Sequence, residues 1–192
     1  MNTTALINLI TKSLLLCAAI ITLQLFASPA VGQTRDHLTD AETDLIRFHQ
    51  ELDKRIEVFI KAIDRRLEII NGVADPKMKK VVKGEPDWGD APKGTRAELI
   101  GDIAGILDEA ITNIDDVSRR DEKNPMISRS LRKLTAAANG YLAQLNAMKS
   151  KITNPDEIAA LERVADNANQ IIEAGKNLPA AAAEENKKKK KP

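Results

Sequence analysis

Apolar residues fall three or four positions apart along four long stretches of this chain, and that spacing predicts four amphipathic helices. The first covers residues 40–71, with Leu45, Phe48, Leu52, Ile56, Phe59, Ile63, Leu67 and Ile70 on one stripe. The second covers 95–120, with Leu99, Ile103, Ile106, Ala110, Ile114 and Val117, widened by Ile100, Leu107 and Ile111. The third, 125–152, carries Ile127, Leu131, Leu134, Ala138, Tyr141, Leu145, Met148 and Ile152. The fourth, 155–175, carries Ile158, Leu161, Ala165, Ala168 and Ile172.

Start and stop signals agree with the stripes. Thr39 with Glu42, and Thr95 with Glu98, have the spacing of capping boxes. Asn124-Pro125 and Asn154-Pro155 each place a capping side chain before a proline, whose missing N–H does no harm at the first helical position. Asn71-Gly72 closes the first helix, because glycine accepts the left-handed conformation that follows a helix end. Short links join the second helix to the third and the third to the fourth, which predicts antiparallel neighbours. The expected architecture is an all-α, four-helix up-down-up-down antiparallel bundle over 39–178, with a long loop at 73–94 between the first two helices.

That loop is the segment which helix periodicity does not explain. Asp75-Pro76, Glu85-Pro86, Gly84, Gly89 and Gly94 break any helix, and a stretch this long inside one domain is commonly functional or disordered. It reads Lys77-Met78-Lys79-Lys80-Val81-Val82-Lys83, then an acidic turn around Trp88. Lys79, Lys80, Val81, Val82 and Trp88 are the candidate partner-binding residues; the plainer alternative is that Trp88, Val81 and Val82 fold back over the bundle end. Gly101 and Gly105 lie opposite the stripe of the second helix, which suggests close approach by the long loop or by a second subunit. Val58, Ala62 and Ile69 fall outside the first stripe and offer a weak second seam for self-association.

The two ends of the chain read differently. Residues 1–30 hold no acid and a single base, Lys12, followed by an apolar run to Phe26 and the small residues Ala27-Ser28-Pro29-Ala30. This is the order of a secretory signal peptide over 1–32, with cleavage leaving Val31 or Gln33 first. Residues 33–38 are expected to be a flexible N-terminus, and the Ala- and Lys-rich 179–192 a disordered tail. Localisation is then exported, periplasmic or secreted.

Composition narrows the chemistry. Cys17 lies inside the leader and is the only cysteine, so disulfides, thiolate nucleophiles and cysteine-held metals are excluded from the mature protein. Removing Lys12 leaves 28 basic against 28 acidic residues, and removing Lys187 to Lys191 with Glu184 and Glu185 leaves 23 against 26. A body at −3 with four aromatics, Phe48, Phe59, Trp88 and Tyr141, lacks the basic, aromatic face that nucleic acid requires. The lysine tail offers weak contact with anionic surfaces.

Catalytic and metal patterns fare no better. His37 precedes the first cap and is expected to fray, while His49 points toward the apolar stripe. Glu-x-x-His, EF-hand and Gly-x-Ser-x-Gly patterns are lacking, so neither catalytic residues nor metal ligands nor a cofactor are assigned. The architecture resembles cytochrome b562-like bundles and small periplasmic chaperones, without a motif specific to either. The expected function is a non-catalytic exported interaction protein of the cell envelope: a scaffold, adaptor or holdase-like binder, partnered by another protein or by itself. The alternative is a bundle holding a small ligand or haem between helices, with His49 and Met78, Met126 or Met148 to draw on.

Overall fold

The computed structural model of the chain describes residues 35–73, 87–150 and 152–178. Helix takes up 77% of them, and no strand occurs among the described residues, so the protein is all-α. Five helices follow in order: α1 (Asp40–Phe48), α2 (Leu52–Ile70), α3 (Arg96–Arg120), α4 (Pro125–Lys149) and α5 (Pro155–Lys176). All belong to the unit that begins at Asp36.

Each expected start signal works as an actual cap. Thr39 accepts from Glu42 N while Glu42 accepts from Thr39 N, and Thr95 and Glu98 repeat the exchange. Asn124 and Asn154 accept from Met126 N and Asp156 N, with proline at the start of α4 and α5. Gly72 follows α2 with φ 70°, the left-handed step expected of it.

The expected single helix over 40–71 is two. His49 turns extended (φ −82°, ψ 112°), Glu51 is again extended, and α2 begins at Leu52. Phe48 therefore leaves the stripe and is 78% exposed. Packing explains the break. A continuous helix would put Glu42 and Arg66 roughly 36 Å apart at 1.5 Å per residue; instead the reversal lays α1 back along α2 and brings them into contact. Two of the three seam residues are covered within the chain, Val58 at 4% exposed and Ala62 fully buried, while Ile69 is only partly buried.

Polar pairs fix the helix directions. Asp53 meets Lys133 and Ile60 O meets Tyr141, so α2 and α4 run parallel. Ala104 O meets Asn167 and Arg96 meets Glu157, so α3 and α5 run parallel as well. Arg66 near Asp102 sets the end of α2 against the start of α3. The most extensive contacts are α3 with α5, α5 with α4, α2 with α3 and α2 with α4, whereas α3 and α4 touch only lightly. Sequential neighbours α3 and α4 were expected to pack side by side. Their link at 121–124 can reach roughly 13 Å fully extended, enough to cross a diagonal between helices packed about 9 Å apart.

One apolar core joins the helices, with Ile56, Phe59, Ile63, Ile100, Ile103, Ile106, Leu107, Leu134, Ala138, Val164 and Ala168 among its most buried members. The buried residues of α5 are Ala160, Leu161, Val164, Ala168 and Ile171. They are rotated from the expected row, and Ile158 is left 39% exposed, because α5 faces both α3 and α4.

Candidate functional site

Four ionised side chains and two backbone segments converge where α1, α2 and the start of α3 meet. Glu42 is fully buried, Arg66 is 1% exposed and Asp102 is 4% exposed. Arg66 Nη1 donates to Glu42 Oε1 (3.0 Å) and Ala62 O (2.8 Å), and Nη2 donates to Glu42 Oε2 (2.9 Å) and His37 O (2.6 Å). Its Nε lies 3.6 Å from Asp102 Oδ2, an ion pair longer than a hydrogen bond. Arg65 Nη1 donates to Glu42 Oε1 at 2.6 Å, and Nη2 donates to Asp90 O at 2.6 Å.

This is a clasp with balanced charge: Glu42 and Asp102 against Arg65 and Arg66. Burying an ion removes several kcal/mol of hydration, which is recovered only when geometry is good and the remaining lone pairs and protons are satisfied. Glu42 meets that condition through four donated hydrogen bonds, from Thr39 N, Arg65 once and Arg66 twice. A carboxylate offers about four acceptor positions, so Glu42 is saturated and has none left for a metal or a substrate proton.

The sequence showed Glu42 only as half of a capping box. Arg66 carried the missed signal: it shares a helix row with Val58 and Ala62, and an arginine on a buried row requires an acidic partner. Its partner lies 24 positions away across a reversal, so no local spacing announces it.

His37 adds a second tie to α3, one to two turns beyond Asp102. Its Nε2 lies 2.8 Å from Glu109 Oε2, and its ring rests over Gly105, where an added Cβ would meet Cγ of the imidazole at 2.8 Å. The hydrogen bond to Glu109 raises the imidazole pKa above 6.5, burial opposes that, and the charges of Glu109, Asp36 and Asp102 reinforce it. The expected fraying is thus corrected, since the segment is pinned and Leu38 beside it is 7% exposed. The close approach expected at Gly105 is real but comes from His37, neither from the loop nor from a second subunit; at Gly101 nothing approaches within 4 Å.

Of the candidate partner-binding residues, Lys79, Lys80, Val81 and Val82 lie outside the described residues, as does Met78. Trp88 is partly buried against the core, with the Arg65 guanidinium 5.6 Å from its ring centroid. Gly89, at φ 63°, passes so close to α1 that a Cβ there would sit 2.7 Å from that of Ala41. Pro92 beyond it is buried. One arginine therefore holds α1 through Glu42 and the 87–92 segment through Asp90 and Trp88.

Elsewhere, charge also ties α2 to α4. Burial pushes the Asp53 carboxyl up, but Lys133 and Arg129 together outweigh it and hold it below the ordinary value. Lys133 also bonds Glu57, whose pKa that contact lowers. Burial raises Asp64 despite its hydrogen bond from Tyr141, and burial followed by the Asp64 charge raises Tyr141 far beyond the usual phenol range. His49 ends α1, edge-on to Phe48 at 5.4 Å, while Met126 and Met148 are partly buried against the core. Between α4 and α5 a cavity of about 70 Å³ is lined mainly by Leu142, Leu145, Ile152, Ile158 and Leu161. Ligand pockets usually hold roughly 300–1,000 Å³, so this one suits a single side chain.

No family model, no curated protein and no solved structure shows a significant match to this chain.

Proposed function

We propose that the chain is an exported, non-catalytic interaction protein of the cell envelope, a scaffold, adaptor or holdase-like binder. In this reading α2 to α5 form an up-down-up-down four-helix bundle, α1 is a hook folded back onto it, and the 73–94 segment is the recognition element. The bundle is supported by the parallel pairs α2–α4 and α3–α5 around one core. Export is supported by the leader-like order of residues 1–32.

The observation that carries the reading is the use made of Arg65. Its guanidinium joins Glu42, Asp90 O and Trp88, so the chain leaving the 74–86 stretch is seated on a buried ion cluster. Binding residues work best on a segment whose base is held by a rigid scaffold. The ionised groups of the clasp are meanwhile committed to one another, which supports a holding rather than a catalytic role.

The test replaces residues 77–86 by a Gly/Ser stretch of equal length, keeping Trp88 and Asp90, and compares capture from envelope extract with that by the intact chain. Loss of a partner with unchanged helicity supports the reading. Equal capture by both proteins removes the loop from it, and intact mass of envelope-derived protein retaining residues 1–30 removes cleavage.

A further inference from the structure

We infer that His37 and Glu109 form a pH-sensitive latch that ties the segment entering the α1 hook to α3 in mildly acidic solution and loosens that tie as pH rises. The inference stands on contacts of the hook and does not depend on the proposed partner.

The hook has few other fastenings to α3. Among the described residues α1 itself buries only Glu42 and Ile46, and its extensive contact is with α2. His37 is the residue that crosses to α3, through a 2.8 Å contact to Glu109 and a seat over Gly105 that any larger residue would fill. Its carbonyl also accepts from Arg66, which joins the latch to the clasp holding Glu42.

The charged groups around the imidazole come from every packed element. Glu109 and Asp102 face it from α3 and Asp36 from its own segment, all favouring the protonated ring. From α2, Arg66 approaches the His37 carbonyl and is itself neutralised by Glu42 of α1 and by Asp102. Protonated, His37 makes a charge-assisted hydrogen bond; neutral, it keeps at most an ordinary one. Since the closed pKa lies above 6.5, the latch contributes fully below pH 6.5 and is lost as pH rises through the closed value. Because Ala41 abuts Gly89, release also loosens the support under the 87–92 segment.

Hydrogen exchange of the full chain, corrected for intrinsic rates, reads the latch directly. NMR titration should give His37 a pKa above 6.5 in the wild type. Protection of α1 amides should then fall between pH 6 and pH 9 by tenfold for each unit of that elevation. In Glu109→Gln the elevation and the pH dependence should vanish together. In His37→Asn, which cannot titrate, α1 protection should be flat with pH while the α3 and α5 core amides keep wild-type protection. A His37 pKa at or below 6.5, or the same pH dependence in Glu109→Gln, would overturn the latch.

Discussion

Residues 40–48 and 52–70 share one hydrophobic rhythm yet hold to the protein by different means. The longer helix buries nine of its nineteen residues, among them Ile56, Phe59 and Ile63, and meets α1, α3 and α4. The shorter buries two of nine, one of them charged, and leaves Phe48 in water. Apolar area is non-directional and accumulates with every neighbour, so α2 is built into the core. A buried ion pair is directional and depends on few contacts, so α1 is fastened by Glu42 and a handful of small contacts rather than by area. Periodicity alone reports that a face is apolar; it does not report which neighbour covers it, or whether one does.

Truncation should separate the two regimes. Phe59→Ala is expected to cost roughly 3–5 kcal/mol, since it opens a cavity in the shared core. Urea unfolding should show that loss as one cooperative transition with unchanged slope. Glu42→Gln keeps the shape of the side chain and removes its charge, so the expected loss is smaller, about 1.5–3 kcal/mol. It should appear first as faster exchange of α1 amides, with the α3 and α5 core protected as before. Equal loss of protection throughout would make the hook part of the core after all.

Trp88 tests how far the clasp reaches. Half its burial and the contact with Arg65 should be worth about 1–2 kcal/mol, so Trp88→Ala should lower the melting temperature by a few degrees, and the wild-type emission should be blue-shifted. Phe48→Ser marks the lower bound. An exposed residue at the reversal should change stability by less than about 0.5 kcal/mol, and a larger loss would mean that Phe48 is covered in solution.

Helix ends were legible because their causes are local. Thr39 with Glu42 and Asn124 with Pro125 act within one turn, and the sequence displays that turn. The break at His49 was not, because Leu45, Phe48, Leu52 and Ile56 keep helical steps straight through it. Nor was the rotation of α5, which follows from packing between two partners. The clasp was half visible: Glu42 stood out for its cap and Trp88 for being the sole tryptophan. Arg65, which joins them, had no local reason to be noticed, whereas Arg66 stood on the Val58 and Ala62 row.

The reversal at His49 also matters while the chain is being made. Glu42 finds Arg66 only 24 residues later, whereas Asp53 must wait 80 residues for Lys133. At about 5–20 residues per second, that leaves α2 without α4 for roughly 4–16 s of synthesis. Until α3 emerges earlier in that interval, α1 is the one helix already available to fold against α2. The hook is thus the first neighbour that α2 can meet in order of synthesis, ahead of its larger partners α3 and α4.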